Sequence, residues 1–94
     1  MALLVFATIT ARPGAETDLR NGLLDIIPQV RAEAACQLYE LYQGAEHPER
    51  FIMHERWDDE AGLKAHSETP HMQAFGAKAK DWLAGRVVLT KIQE

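Results

Sequence analysis

The sequence predicts an α+β domain whose elements follow the order strand, helix, strand, strand, helix, strand. Two observations lead to this prediction. The hydrophobic period changes cleanly between two and about 3.6 residues along the chain, and helix caps or Gly and Pro breaks separate the periodic segments. A length of 94 residues suits one domain spanning residues 1–94. This order is the split βαβ arrangement of ferredoxin-like folds, a four-stranded antiparallel sheet with helices on one face.

The first half of the chain predicts a strand, a helix and a second strand. Residues Leu3 to Ala11 are rich in apolar and β-branched side chains, and this strand stops at a Pro-Gly pair. A helix should follow from Ala15 to about Ala34, because apolar residues recur on one stripe. Pro28 lies inside that stripe and should kink or break the helix after Ile27. A strand from Cys36 to Gln43 then leads into a hairpin.

The next segment predicts the second arm of the hairpin and a short helix. Turn residues fill positions 44–49, and the third strand runs from Phe51 to Trp57. Asp58 should cap the helix that follows, with further acidic residues in the first turn, where negative charge is favoured. We expect this helix to end at His66.

The last segment predicts a second helix after a break and a closing strand. Thr69 is a suitable N-cap, and Pro70 suits the first helical position, which puts His71 in the first turn. We expect this helix to end at Gly85 and a strand to run from Val87 to Ile92. Its predicted buried side chains are Met72, Phe75, Ala79, Trp82 and Leu83.

Alternation in the third strand places one carboxylate in an apolar row. A period of two puts Phe51, Met53, Glu55 and Trp57 on the same face of the sheet. A charge at this place is costly to bury unless it is hydrogen-bonded, paired or protonated, so Glu55 has either a partner or a catalytic task. The sequence leaves open whether this row faces the helices or the other side of the sheet. The register decides it, since a slip of one residue would turn Glu55 and Trp57 to the opposite face.

Apolar residues also occupy the sheet face opposite to the helices. Leu4 and Phe6 alternate with core positions on the first strand, and Val88 and Ile92 do so on the last strand. A monomer would expose these side chains as a large apolar patch, which usually marks an interaction surface. We therefore expect a homodimer whose sheets pack face to face.

Composition and charge argue against several classes of function. A net charge of -4 and the lack of a basic run argue against nucleic-acid binding. Neither a signal peptide nor a membrane span is predicted, and the single cysteine, Cys36, fits the reducing cytoplasm. The sequence has no Gly-rich phosphate loop, dinucleotide fingerprint or clustered metal ligands, so no cofactor is predicted.

Two histidines are candidate acid-base residues. His66 and His71 carry imidazoles, which titrate near neutral pH and can transfer protons to or from a small substrate. The structural alternative is that His66 stabilises the end of a helix as a cation and that His71 is an exposed first-turn residue. The two lack the i, i+4 spacing of a helical metal site and have no ligand partner nearby in sequence, so no metal is predicted.

Other side chains suit a pocket for a flat organic substrate. Trp57 offers a stacking surface beside Glu55, which can hydrogen-bond a hydroxyl group, and Tyr39 lies on the neighbouring strand. Core packing and structural hydrogen bonds are the alternatives for these three residues. Trp82 lies at the mouth of such a pocket or in the core.

Three residues near the end of the first helix have weaker functional signals. Arg31 would either bind an anionic substrate or pair with a carboxylate of the following strands. For both Arg31 and Glu33 a solvated surface position is favoured. Cys36 is expected to be a small buried side chain and not a nucleophile, because no local cationic cluster would lower its pKa.

The chain resembles the antibiotic biosynthesis monooxygenase (ABM) family of small dimeric ferredoxin-like proteins, within the dimeric α/β-barrel superfamily. The matching segments are Ala11-Arg12-Pro13-Gly14, Pro28 to Glu33, Cys36 to Tyr42, Phe51 to Trp57, and the acidic helix start followed by His66 to His71. The resemblance implies a barrel-like pairing of two sheets and a functional histidine at His66. One departure is Ala35, where the family often has Gly before the cysteine, so we expect that turn to be shaped differently.

The resemblance also implies a choice of reactions. Family members include cofactor-free oxygenases of phenols and quinols, an isomerase of a phosphorylated sugar, and haem-degrading relatives. We expect a cofactor-independent monooxygenase, an oxidoreductase for a small aromatic substrate, with His66 as the base. The alternatives are an isomerase of a small hydroxy-ketone, with or without a phosphate, in which His66 and His71 exchange protons, and a non-catalytic small-molecule-binding dimer. Haem degradation is disfavoured, because those relatives carry Trp at the position of His66.

Overall fold

The computed structural model describes residues 2–94 and contains four strands and three helices within that range. The strands are β1 (Leu3–Thr10), β2 (Cys36–Gln43), β3 (Arg50–Trp57) and β4 (Val88–Gln93). The helices are α1 (Glu16–Arg31), α2 (Glu60–Ser67) and α3 (Pro70–Ala79). Since α2 and α3 together occupy the place of the second helix, the order is the predicted βαββαβ arrangement.

The four strands form one antiparallel sheet in the order β2-β3-β1-β4. The register pairs Glu55 of β3 with Val5 of β1 on one side and with Tyr39 of β2 on the other. On the far edge, Leu89 of β4 pairs with Ala7. Glu55 shares its face with Phe51, Met53 and Trp57, as the alternation of β3 predicts, and the structure shows that this is the face covered by the helices.

The hydrophobic core lies between this sheet face and the helices. From the sheet, Val5, Phe51, Met53 and Trp57 are almost completely buried, and from α1 the same holds for the apolar stripe of Leu19, Leu23, Ile26, Ile27 and Val30. This burial of one face of β1 and β3 against α1 provides the main hydrophobic stabilisation of the fold.

Helix α1 is not broken at Pro28, and that part of the prediction was wrong. The helix runs on to Arg31, and the buried Val30 anchors its last turn. A proline in a helix removes the hydrogen bond to the carbonyl four residues earlier, here that of Leu24. Both Leu24 and Pro28 are on the exposed side of α1, where water can hydrogen-bond this carbonyl.

The helices after β3 differ from the prediction at three ends, of which the smallest difference is that α2 ends at Ser67, one residue after His66. The N-cap of α2 is Asp59, whose carboxylate accepts from the backbone N–H of Gly62 at 2.8 Å, and not Asp58, which instead accepts from the side chain of Gln37. Helix α3 ends at Ala79 and not at Gly85, so Trp82 follows it in a turn. The predicted start of α3 is confirmed, because Thr69 caps it and Pro70 is its first residue.

The sheet face opposite to the helices is open and apolar. Tyr42, Ile52, Val88 and Ile92 lie on this face with between 42% and 58% of their surface exposed. Phe6 stacks on His54 in its centre, with ring centroids 4.8 Å apart. Within residues 2–94, no helix has both the length and the apolar character needed to cross a membrane.

Candidate active site

A cavity of about 450 Å³ lies between the covered sheet face and the helices. Its walls are mainly apolar and come from all four strands and all three helices. Three polar side chains, Tyr39, Glu55 and His66, reach it from the inside, and Glu60, Lys64 and Lys91 line it on the solvent side. Such a cavity suits a small and largely apolar ligand that carries a few hydrogen-bonding groups.

Glu55 is the buried carboxylate of this cavity. It is 4% exposed, and its Oε1 accepts a hydrogen bond of 2.9 Å from the indole Nε1–H of Trp57. Burial raises the pKa of Glu55 to about 7, the indole hydrogen bond acts in the opposite direction, and the negative charge of Glu33 adds to the rise. The side chain can therefore both accept and release a proton near neutral pH.

Trp57 lies behind the cavity and is not one of the residues that line it. Its side chain is fully buried, and its ring packs against the imidazole of His66 with centroids 4.5 Å apart. The structure therefore places Trp57 where it fixes the positions of Glu55 and His66. Phe75 and Tyr39 supply the aromatic surface of the cavity wall.

Tyr39 lines the cavity from the strand next to Glu55. It is 3% exposed, and the edge of its ring meets His66 at a centroid distance of 5.8 Å. Burial, together with the charges of Glu55 and Glu33, raises the pKa of the Tyr39 phenol. The group therefore stays protonated and can donate a hydrogen bond to a ligand oxygen.

His66 is held by a carboxylate that sequence analysis missed. The Nδ1 atom of His66 lies 3.0 Å from Oε2 of Glu33, which lies in the turn after α1 and has a side chain only 13% exposed. The prediction of a solvated surface position for Glu33 was therefore wrong. The fold brings Glu33, in the turn after α1, together with His66 of α2, and no local spacing in the sequence reports this contact.

The contact with Glu33 determines the tautomer of the neutral His66 ring. An ionised carboxylate only accepts hydrogen bonds, so Nδ1 must carry the proton, and Nε2 of the neutral ring is then an acceptor. Within residues 2–94, Nε2 of His66 makes no hydrogen bond, while the ring lines the cavity. This is the arrangement of an imidazole base oriented by a carboxylate.

His71 contacts the same carboxylate oxygen as His66. Its Nε2 lies 2.7 Å from Oε2 of Glu33, and its side chain is 20% exposed. The first turn of α3 directs it into a groove between α1 and α3, where it lies near Trp82 and Phe75. In the described residues His71 and Trp82 line this groove and not the cavity.

Two further residues are placed away from the cavity. The guanidinium of Arg31 donates to the backbone carbonyl of Tyr39 and pairs with Glu40 at 3.3 Å, so the ion-pair alternative applies to it. Cys36 is half-buried, and both burial and the charge of Glu33 raise the pKa of its thiol. A raised pKa disfavours the thiolate, which agrees with a structural role for Cys36.

Comparison with known proteins decides the family of the chain. Residues 2–78 match the sequence profile of the family described as "Antibiotic biosynthesis monooxygenase". The chain belongs to this ABM family. Among its relatives is "Putative monooxygenase YcnE" of Bacillus subtilis (strain 168), which is 32% identical over 94 residues covering 98% of this chain and 99% of that protein.

Two further comparisons agree with this assignment. "Probable quinol monooxygenase YgiN" of Escherichia coli (strain K12) is 34% identical over 90 residues, which cover 83% of this chain and 85% of that protein. The crystal structure of PA3566 from Pseudomonas aeruginosa is 33% identical and superimposes with a TM-score of 0.93 over 99% of this chain and 93% of that chain. The ferredoxin-like fold and the ABM membership predicted from the sequence are thus confirmed.

Proposed function

We propose that this ABM protein is a cofactor-independent monooxygenase acting on a small aromatic substrate of the quinol or phenol type. The observation that carries the proposal is the His66 imidazole, which lines an apolar cavity of about 450 Å³ while its Nδ1 lies 3.0 Å from Glu33. The similarity to a relative named as a quinol monooxygenase supports the choice of substrate class.

The first step of the proposed reaction is proton transfer from a substrate hydroxyl to Nε2 of His66. Glu33 keeps the proton on Nδ1 and stabilises the imidazolium that forms. The resulting quinol anion is electron-rich and passes one electron to dioxygen. The two radicals then combine through a carbon–oxygen bond, and loss of water leaves a hydroxyquinone. One quinol and one dioxygen thus yield one hydroxyquinone and one water, with one oxygen atom in each product.

The remaining polar groups of the cavity orient the substrate. Tyr39 donates a hydrogen bond to a ring oxygen, and Glu55 holds a second oxygen on the other side of the ring. Trp57 is a positioning residue, since its indole N–H holds the Glu55 carboxyl and its ring supports His66. The apolar walls exclude water, which otherwise would compete for the anion and for reactive oxygen species.

The isomerase alternative receives less support from the geometry. Proton exchange between adjacent carbons would need both histidines at one ligand, but His71 faces the groove between α1 and α3. The cations nearest to the cavity are Lys64 and Lys91, and the amine of Lys91 is already 2.7 Å from a carboxylate of Glu60. A phosphate would have to compete with this pair.

We also propose that the protein is a homodimer that pairs through the open sheet face and works in the cytoplasm. The exposed apolar side chains of that face support the first proposal. The free thiol of Cys36 suits a reducing compartment, which supports the second.

The reaction class is tested by turnover of a panel of quinols and polyphenols under ¹⁸O₂, with chelator-treated protein and mass spectrometry of the products. The proposal expects one labelled oxygen in the organic product and one in water per turnover. A no-protein control corrects for autoxidation. Isomerised hydroxy-ketones in a parallel panel without oxygen uptake would favour the isomerase, and ligand binding without any turnover would favour a binding protein.

A further inference from the structure

We propose that Glu33, His66 and His71 form a binding site for one divalent first-row transition ion of the Zn²⁺ type. Their ligand atoms are two imidazole nitrogens and one carboxylate oxygen, and these atoms all lie within 4.8 Å of one another. Two histidines and a carboxylate are a common ligand set of zinc and non-haem iron sites, which keep one or more positions open. Local spacing in the sequence does not reveal this ligand set, because Glu33 lies 33 positions before His66 in the chain.

To hold an ion, the two contacts with Glu33 would open slightly, and the two imidazole nitrogens, which lie within 4.8 Å of each other, would move closer together. A tetrahedral zinc with bonds of about 2.0 to 2.1 Å keeps its ligand atoms roughly 3.3 Å apart. The nitrogen of His66 is already 3.0 Å from the nearer oxygen of Glu33, and that of His71 is 2.7 Å from the same oxygen. Ion binding would open these two contacts by a few tenths of an ångström and replace the bridging protons.

The surroundings make the cluster rigid on one side and accessible on the other. The ring of His66 is 6% exposed and is fixed between Trp57 and Tyr39. The side chain of His71 is 20% exposed at the groove between α1 and α3, which gives an ion a path of entry. A preformed carboxylate and a fixed imidazole lower the cost of assembling the site.

Occupation of this site would change the chemistry of the cavity, a consequence that rests on the proposed function. An ion on Nδ1 of His66 occupies the nitrogen that otherwise carries the proton, so the neutral ring must carry its proton on Nε2. The nitrogen that faces the substrate then donates a hydrogen bond and no longer accepts a proton. Metal binding would therefore suppress proton abstraction by His66.

The site is tested by isothermal titration calorimetry of the chelator-treated protein with ZnCl₂, and by visible absorption spectra with Co²⁺. We expect one ion per chain with a dissociation constant in the micromolar range or below. Replacing one ligand, as in His71→Ala or Glu33→Gln, should weaken binding at least about tenfold. His47→Ala is the matched control, because His47 lies beside Glu49 in the exposed hairpin loop and should leave this site unchanged.

These titrations test whether the three residues bind an ion, and they do so independently of any measurement of turnover. No binding at millimolar ion, or equal affinity in wild type, His71→Ala and Glu33→Gln, would overturn the proposal. If His47→Ala weakens Zn²⁺ binding as much as His71→Ala does, the ion occupies the surface loop and the proposal fails. In an active preparation, stoichiometric Zn²⁺ should suppress oxygen uptake. A protein that binds zinc but never consumes oxygen would refute only the proposed reaction.

Discussion

The buried Glu55 makes a specific prediction for the pH dependence of stability. Its pKa is about 7 in the folded protein, against 4.5 for the free side chain, mainly because burial disfavours the charged form. We consider the substitution Glu55→Gln, which keeps a side-chain oxygen to accept the indole N–H of Trp57 but cannot ionise. The comparison therefore isolates the titration of one carboxyl.

The size and sign of the effect follow from the two pKa values. A difference of about 2.5 pKa units corresponds to about 3 to 4 kcal/mol, at roughly 1.4 kcal/mol per unit. Because the folded pKa is the higher one, this contribution to stability is present below about pH 4.5 and is lost as the pH rises through about 7. The free energy of unfolding of wild type should therefore fall by about 3 to 4 kcal/mol relative to that of Glu55→Gln.

Urea denaturation between about pH 4 and pH 8, at one fixed protein concentration, measures this difference. Glu46→Gln is the matched control, because Glu46 is an exposed carboxyl of the hairpin loop. A difference between wild type and Glu55→Gln that changes by less than about 1 kcal/mol over this range would refute a buried Glu55 with a raised pKa.

Three further predictions concern the cap, a close contact and the open face. Thr69→Ala should lower the free energy of unfolding by about 1 kcal/mol in urea titrations, while Thr69→Ser restores it, because the hydroxyl caps α3. Gly62→Ala should cost roughly 1–3 kcal/mol, since the added Cβ would lie 2.5 Å from that of Ala35, and adding Ala35→Gly should recover most of the loss. Light scattering should show a dimer for wild type and for the surface control Leu24→Lys, but a monomer for Ile52→Lys; a dimeric Ile52→Lys would contradict pairing through the open face.

The fold was predictable because each element carries a local signal. Alternation in β3 correctly placed Glu55 in the row of Phe51, Met53 and Trp57, although it could not tell which face of the sheet that row occupies. The cap at Thr69 with its proline predicted the start of α3. The end of α3 was not predictable in this way. The spacing of Trp82 continues a helical stripe, but after Ala79 the chain turns so that the backbone carbonyl of Trp82 accepts from the N–H of Arg12, a contact set by tertiary packing.

The candidate site was predictable only in part. His66 and Glu55 could be selected, one from the resemblance and one because an inward carboxylate requires a partner. The contact that defines the site joins His66 to Glu33, which lies 33 positions earlier in the chain. No periodicity or motif encodes such a pair, because it arises where the turn after α1 meets the junction of α2 and α3. A surface position for Glu33 was the reasonable expectation from sequence, and the fold overrides it.

The most direct test of the account is the initial rate of oxygen uptake with the best quinol substrate, comparing chelator-treated wild type, His66→Ala and His47→Ala. The account predicts that uptake well above the no-protein rate persists in His47→Ala and falls at least about a hundredfold in His66→Ala, as expected for loss of a general base. Equal uptake by wild type and His66→Ala would contradict the assignment of His66 as the group that removes the substrate proton.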